Sequence, residues 1–239
     1  MLPKSASLSS PQIPLADIAL VFAASALAFV VEDMAVSKGW VAIGPEARGV
    51  MPVLGGALAA IGVVLARGGS LADLGFRRPK RWVMVPFQVA VILAAFIAAQ
   101  LLAPLLVSSY VSMPEPDLSR YDALAGDLGA AVTLALLLPL TASIPEEIIY
   151  WGFLIGRLTD LFGQGLSGAV VSVFLQALVF GAVHFMWGVG GMIVALLMGI
   201  VWGVAYLLCG RNLWVVILAH STGHVLGVVQ LYLGTSIIV

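Results

Sequence analysis

Apolar positions in this chain fall into long blocks separated by short polar stretches. A helix that crosses a bilayer needs about 20 mostly apolar residues. Blocks at 14–35, 49–67, 82–107, 128–157, 166–187, 189–210 and 213–236 meet that requirement. The pattern predicts an all-α, polytopic transmembrane bundle of seven spans, or eight if the long fourth block holds two elements. Pro139 and Pro145 lie inside that block. Proline has no N–H to donate and disfavours helical geometry in the residue before it. A broken helix is therefore predicted just before Glu146, where irregular backbone would line a polar cavity. No internal repeat, low-complexity segment or soluble second domain interrupts the pattern.

Composition supports the same class. Of the 239 residues 62% are hydrophobic and only 10% charged, with a mean hydropathy of +1.11. Soluble domains carry roughly 25% charged residues, so the chain reads as an integral membrane protein. A net charge of −1 gives nucleic acid no electrostatic foothold. The single cysteine, Cys209, rules out an intramolecular disulfide and any cysteine-cluster metal site, and in an apolar segment it reads as a small packing residue.

Charge in the loops sets an expected orientation. The 67–81 stretch carries Arg67, Arg77, Arg78, Lys80 and Arg81, and basic loops stay cytoplasmic. The 108–127 stretch carries Glu115, Asp117, Asp122 and Asp127 against Arg120 and reads as external. Arg157 and Arg211 then fall on the cytoplasmic side, with the N-terminus inside. Ala24-Ser25-Ala26 has the small residues of a cleavage site, yet only Lys4 precedes it and Asp17 sits early in the apolar run, so a retained first span is expected. Asp17, Glu32 and Asp33 lie near the ends of the first block and are read as interfacial. Trp40, Trp82 and Trp214 fall near span ends and read as interface anchors, whereas Trp151 and Trp202 should pack inside the bundle. Gly199 and Gly203, four apart, would let two helices approach closely.

The chemistry is concentrated in the second half. From Leu128 to Val239 the only charged residues are Glu146, Glu147, Arg157, Asp160 and Arg211. Adjacent carboxylates in such a segment are expensive, because hydrocarbon does not solvate them and like charges repel; ionisable groups at this depth usually line a functional cavity. All three histidines follow them: His184, His220 and His224. His220 and His224 share a helix face at a spacing of four, as do Glu146 and Tyr150, and Phe180 and His184. One chemistry that fits is a water activated by glutamate and histidine, with further histidines stabilising an oxyanion. Another is a zinc site, although the glutamate that helical zinc proteases carry between the two histidines is replaced by Ser221-Thr222-Gly223. Proton or ion transport is a third, but the first half lacks a matching Pro-Glu-Glu element.

These residues resemble a known family. Pro145-Glu146-Glu147-Ile148-Ile149-Tyr150-Trp151-Gly152 is similar to the first motif of the CPBP intramembrane proteases, which include CAAX prenyl endopeptidases and bacteriocin-processing or immunity proteins. That motif is Glu-Glu, three residues, Arg, then Gly. Phe180-Gly181-Ala182-Val183-His184 is similar to the second, Phe-x-x-x-His. Asn212-Leu213-Trp214 followed by His220 resembles the last, His-x-x-x-Asn/Asp, and Leu71-Ala72-Asp73-Leu74-Gly75-Phe76 resembles the basic-flanked loop that precedes such domains. The likeness covers roughly residues 70 to 236.

The resemblance implies peptide-bond hydrolysis at membrane depth, with Glu146 and His184 activating the water, Glu147 supporting them, and His220 helping to stabilise the oxyanion. It implies a membrane-associated protein or peptide substrate, in some members prenylated, and a bacterial plasma-membrane location. The favoured reading needs no metal; if zinc is bound, Glu146, His184, His220 and His224 are its candidate ligands. Residues 1–81 would form accessory spans and a basic loop, and 82–239 the protease-like core.

Two departures set this chain apart. Trp151 stands at the family's arginine, and Arg157, about 16 Å further along a helix, is too distant to replace it. His224 stands where Asn or Asp is expected, and an imidazole still offers an oxyanion a hydrogen bond. The runner-up reading is a catalytically silent scaffold or immunity protein, and a transporter ranks third.

Overall fold

A computed structural model describes residues 12–44, 48–107 and 119–235. Lys4, Glu115 and Asp117 of the loop-charge argument lie outside them. The architecture is helical, with seven long elements: α1 (Gln12–Ser37), α2 (Val50–Ala66), α3 (Val85–Val107), α4 (Leu128–Phe162), α5 (Leu166–Val183), α6 (Gly188–Leu208) and α7 (Leu213–Tyr232). Among the described residues six apolar helical stretches are long enough to cross a membrane, and α2 is a shorter apolar helix beside them. The protein is thus an integral, multi-pass membrane protein.

The interruption expected before Glu146 is a change of helical pitch and not a chain break. Residues Leu128–Phe162 form one continuous helix of 35 residues. Within it Pro139–Ser143 and Glu147–Leu154 are wound as π-helix, with one α-helical turn at Ile144–Glu146 between them. The physical reason is that a wider turn accommodates carbonyls left without an N–H donor by proline, so the chain need not unwind in an apolar setting. Thr141 assists by donating its hydroxyl to the Leu137 carbonyl at 3.0 Å.

The first two helices form an antiparallel hairpin fastened at both ends, which corrects the interfacial reading of Asp17 and Glu32. Glu32 is 3% exposed and accepts from the backbone N–H groups of Gly49 (2.6 Å) and Met51 (3.0 Å), so it caps the start of α2. Asp17, 2% exposed, accepts from Arg67 at 2.8 Å and faces Arg157 Nε at 3.0 Å. Asp33 remains at the surface, 3.6 Å from Arg48. The hairpin also packs on the glutamate-bearing helix: a Cβ at Gly56 would lie 2.9 Å from Ile149 Cδ1.

Close approach of α5 and α6 follows from small residues. A Cβ at Gly199 would lie 3.0 Å from Ala177 Cα, and one at Gly203 would lie 3.0 Å from Val173 Cγ1. Between helices in lipid such contact replaces the hydrophobic drive available in water. The 67–81 loop is docked on the bundle through Leu213 N–H to Gly75 O (2.8 Å) and Asn212 Nδ2 to Arg77 O (2.8 Å). Gly152 makes room for this loop, since a Cβ there would meet Leu74 O at 2.6 Å. Gly152→Ala should therefore destabilise the fold by about 1–3 kcal/mol through overpacking, read as a lower unfolding temperature in detergent micelles.

Candidate active site

Helices α4 and α7 run antiparallel, and residues four apart on each face the other. Two rungs result. Glu147 Oε1 lies 3.1 Å from His220 Nδ1, and one turn away Ser143 Oγ lies 2.9 Å from His224 Nδ1. The two imidazoles pack at a tilt with centroids 4.6 Å apart. Glu146 stands beside the first rung, its Oε2 4.0 Å from His220 Nε2. The Glu147 side chain is wholly buried, whereas that of Glu146 is 16% exposed, so Glu146 is the more accessible of the two.

His184 joins from a third helix. It caps the end of α5, and its Nδ1 lies 2.6 Å from the Phe180 carbonyl oxygen. A carbonyl only accepts, so the proton sits on Nδ1, and Nε2 of the neutral ring carries the lone pair. Its ring packs on Phe180 (4.6 Å) and Trp187 (4.4 Å). Among the described residues no hydrogen bond joins His184 to Glu146; His184 reaches the cluster through Phe180, whose ring packs 5.1 Å from Trp151.

Aromatic rings wall the site. Trp151 is 0% exposed, and its ring lies 6.3 Å from that of His220; Trp202 approaches the same imidazole at 5.4 Å and stacks on Phe96 at 5.5 Å. At the position of the family arginine the chain thus has an apolar wall with a single N–H. Arg157, the nearest alternative in sequence, is engaged with Asp17 and Asp160 (3.6 Å) and leaves the carboxylates alone.

The sequence reasoning missed Ser143. It lies four residues before Glu147 and is 0% exposed; that spacing, matching His220 to His224, is the signal that would have found it. As for metal, no group of three or more His, Cys, Asp or Glu side chains among the described residues is gathered to hold an ion. The Nδ1 atoms of His184, His220 and His224 face Phe180, Glu147 and Ser143, which leaves the Nε2 atom as the free ring nitrogen of each.

Comparison with known proteins gives one family match. Residues 128–226 match the family model described as type II CAAX prenyl endopeptidase Rce1-like, a stretch that holds Ser143, both glutamates and all three histidines. No curated protein and no solved structure matches the chain. Over residues 128–226, the segment that builds the carboxylate–imidazole cluster, this membrane protein is similar to the type II CAAX prenyl endopeptidase Rce1-like family.

Proposed function

We propose that the protein is an intramembrane endopeptidase that hydrolyses a peptide bond of a membrane-associated protein or peptide. The observation that carries this reading is the more accessible carboxylate of Glu146 beside an imidazole that a second, buried carboxyl group holds in place. Glu146 takes a proton from a water whose oxygen adds to the scissile carbonyl carbon. Collapse of the tetrahedral intermediate breaks the C–N bond, and the proton returns to the leaving amine. His184, with a lone pair at Nε2, faces the same water from α5. His220 accepts at Nδ1 from the protonated carboxyl of Glu147, which leaves its Nε2–H to donate to the developing oxyanion, and His224 adds a second donor.

Depth supports the assignment. Glu146 is separated from Arg157 on α4 by the π-wound stretch Glu147–Leu154 and a short α-helical turn, and His220 lies about 11 Å along α7 from its first residue. The end of α4 that carries Arg157 and the start of α7 meet at the basic side of the bundle, where Arg211 contacts Thr159 at 3.3 Å and Asn212 holds the 67–81 loop. On the positive-inside rule that side is cytoplasmic, so the site is reached from within the bilayer or from the cytoplasm. A substrate anchored by a lipid chain, such as a prenylated peptide, suits a site at this depth.

The test compares new protein termini in membranes holding wild type or Glu146→Ala at equal abundance. Termini found only with the wild type support proteolysis and name the substrate; identical termini overturn the proposal. Ser143 is assigned as a positioning residue for His224. Ser143→Ala should lower kcat about ten-fold, the worth of one hydrogen bond, with KM unchanged, and Ser143→Thr should restore it.

A further inference from the structure

A second polar site lies against the carboxylate cluster and is made by residues that the hydrolytic mechanism leaves unused. Ser172, Gln176, Phe180 and His184 recur every four residues along one face of α5 and its cap. Ser172 and Gln176 are both 0% exposed. Ser172 Oγ, Gln176 Nε2 and Gln176 Oε1 are without a hydrogen-bond partner among the described residues. So are Glu147 Oε2 and the indole nitrogens of Trp151 and Trp202. Buried polar groups in folded proteins find partners, and a carboxamide with no bond at either end is the rarest exception.

The side chains that carry these atoms are linked by a chain of packing contacts, with Ser172 one turn before Gln176 on α5. Gln176 packs against α6 where that helix lacks a side chain: a Cβ at Gly203 would lie 3.2 Å from Gln176 Oε1. Trp202, the residue before Gly203, lies over His220. Phe180, one turn on from Gln176, packs on Trp151, which in turn borders His220. Donors and acceptors of both kinds are therefore present between aromatic and aliphatic walls, and Glu147 brings the one carboxyl group among them. Water, which bonds to about three partners in a buried site, is the ligand that meets this set.

We propose that Ser172, Gln176 and the indoles of Trp151 and Trp202 form an internal hydration site that supplies water to Glu147 and, beside it, Glu146. The site deepens the hydrolytic reading above, which needs water within an apolar bundle, but its existence is measurable without any turnover. Trp151 and Trp202 are 0% and 1% exposed, while Trp40, Trp82, Trp187 and Trp214 are 41–72% exposed. The buried indole N–H groups therefore serve as built-in probes.

The experiment follows hydrogen–deuterium exchange of the indole N–H signals by nitrogen-15 NMR, on the full chain in lipid nanodiscs, with Trp151→Phe and Trp202→Phe supplying assignments. Expected is exchange of both buried indoles at least ten-fold faster than the backbone amides of α6 around them. Ser172→Ala combined with Gln176→Leu should slow it ten-fold or more, and Gln176→Asn, which keeps an amide, should preserve it. Protection of the wild-type indoles equal to that of those amides would overturn the proposal, as would unchanged exchange in the double variant. If the double variant fails to fold, Ser172→Ala and Gln176→Met read separately, each expected to slow exchange, decide the same question. Fast exchange in a protein that yields no new termini would retire the protease reading and leave the hydration site standing.

Discussion

Replacing Glu146 by glutamine should abolish cleavage, lowering the rate by a factor of about 10² to 10⁴, the range that a positioned general base contributes. Glutamine keeps the shape and the hydrogen-bonding reach of glutamate but takes up no proton, so KM should change little while kcat falls. Glu147→Gln should act differently. Glu147 is wholly buried and touches His220 and not the reactant, so its amide analogue still holds the ring at Nδ1 through a weaker bond. A smaller loss, about ten-fold, is expected. Purified protein in nanodiscs, assayed on a substrate named by the new-termini comparison, separates the two. Equal losses for both variants would show that the carboxylates act as one unit and would withdraw the division of roles. No loss for Glu146→Gln would remove Glu146 from the chemistry.

The largest expected effect on stability lies far from that site. Asp17→Ala should destabilise the protein by about 2–3 kcal/mol, because it leaves the largely buried Arg157 without its nearest counter-charge, while the half-exposed Arg67 is solvated instead. Asp17 holds Arg67 at the end of α2 and Arg157 on α4, so a single carboxylate fastens the first hairpin to the glutamate-bearing helix. Arg157 is only 15% exposed and is the partner most harmed, although Asp160 at 3.6 Å retains part of its compensation. Asp33→Ala, which removes an exposed pair with Arg48, should change stability by no more than about 1 kcal/mol. Unfolding of the two variants side by side in the same detergent provides the check. Equal unfolding temperatures would mean that the Asp17 cluster is solvated in practice and adds nothing to the hairpin's attachment.

Much of the fold is legible in the sequence because membrane spans are a local property. Each block from 14–35 to 213–236 could be marked from its own residues, and α1, α3, α5, α6 and α7 begin and end close to those blocks. The separate roles of the tryptophans were legible for the same reason: Trp40, Trp82 and Trp214 are exposed and Trp151 and Trp202 buried, as their positions within or beside the spans suggest. Less legible was the winding of α4. Proline announces a lost hydrogen bond, but whether the chain unwinds or widens its pitch depends on what surrounds it, and here it widens into π turns.

The sequence by itself determined that the chain crosses a membrane several times, that its charge in the second half is confined to a few positions, and that two glutamates and three histidines are the candidates for chemistry. Composition and short-range spacing carry that information. Tertiary structure decided which of these groups touch. Glu147 meets His220 across 73 residues and Ser143 meets His224 across 81, contacts set by the antiparallel packing of α4 on α7. It also turned Asp17 and Glu32 from presumed surface charges into buried fasteners. Charge burial is a property of the packed bundle, because a carboxylate near a span end faces water or a cation according to the helix placed beside it.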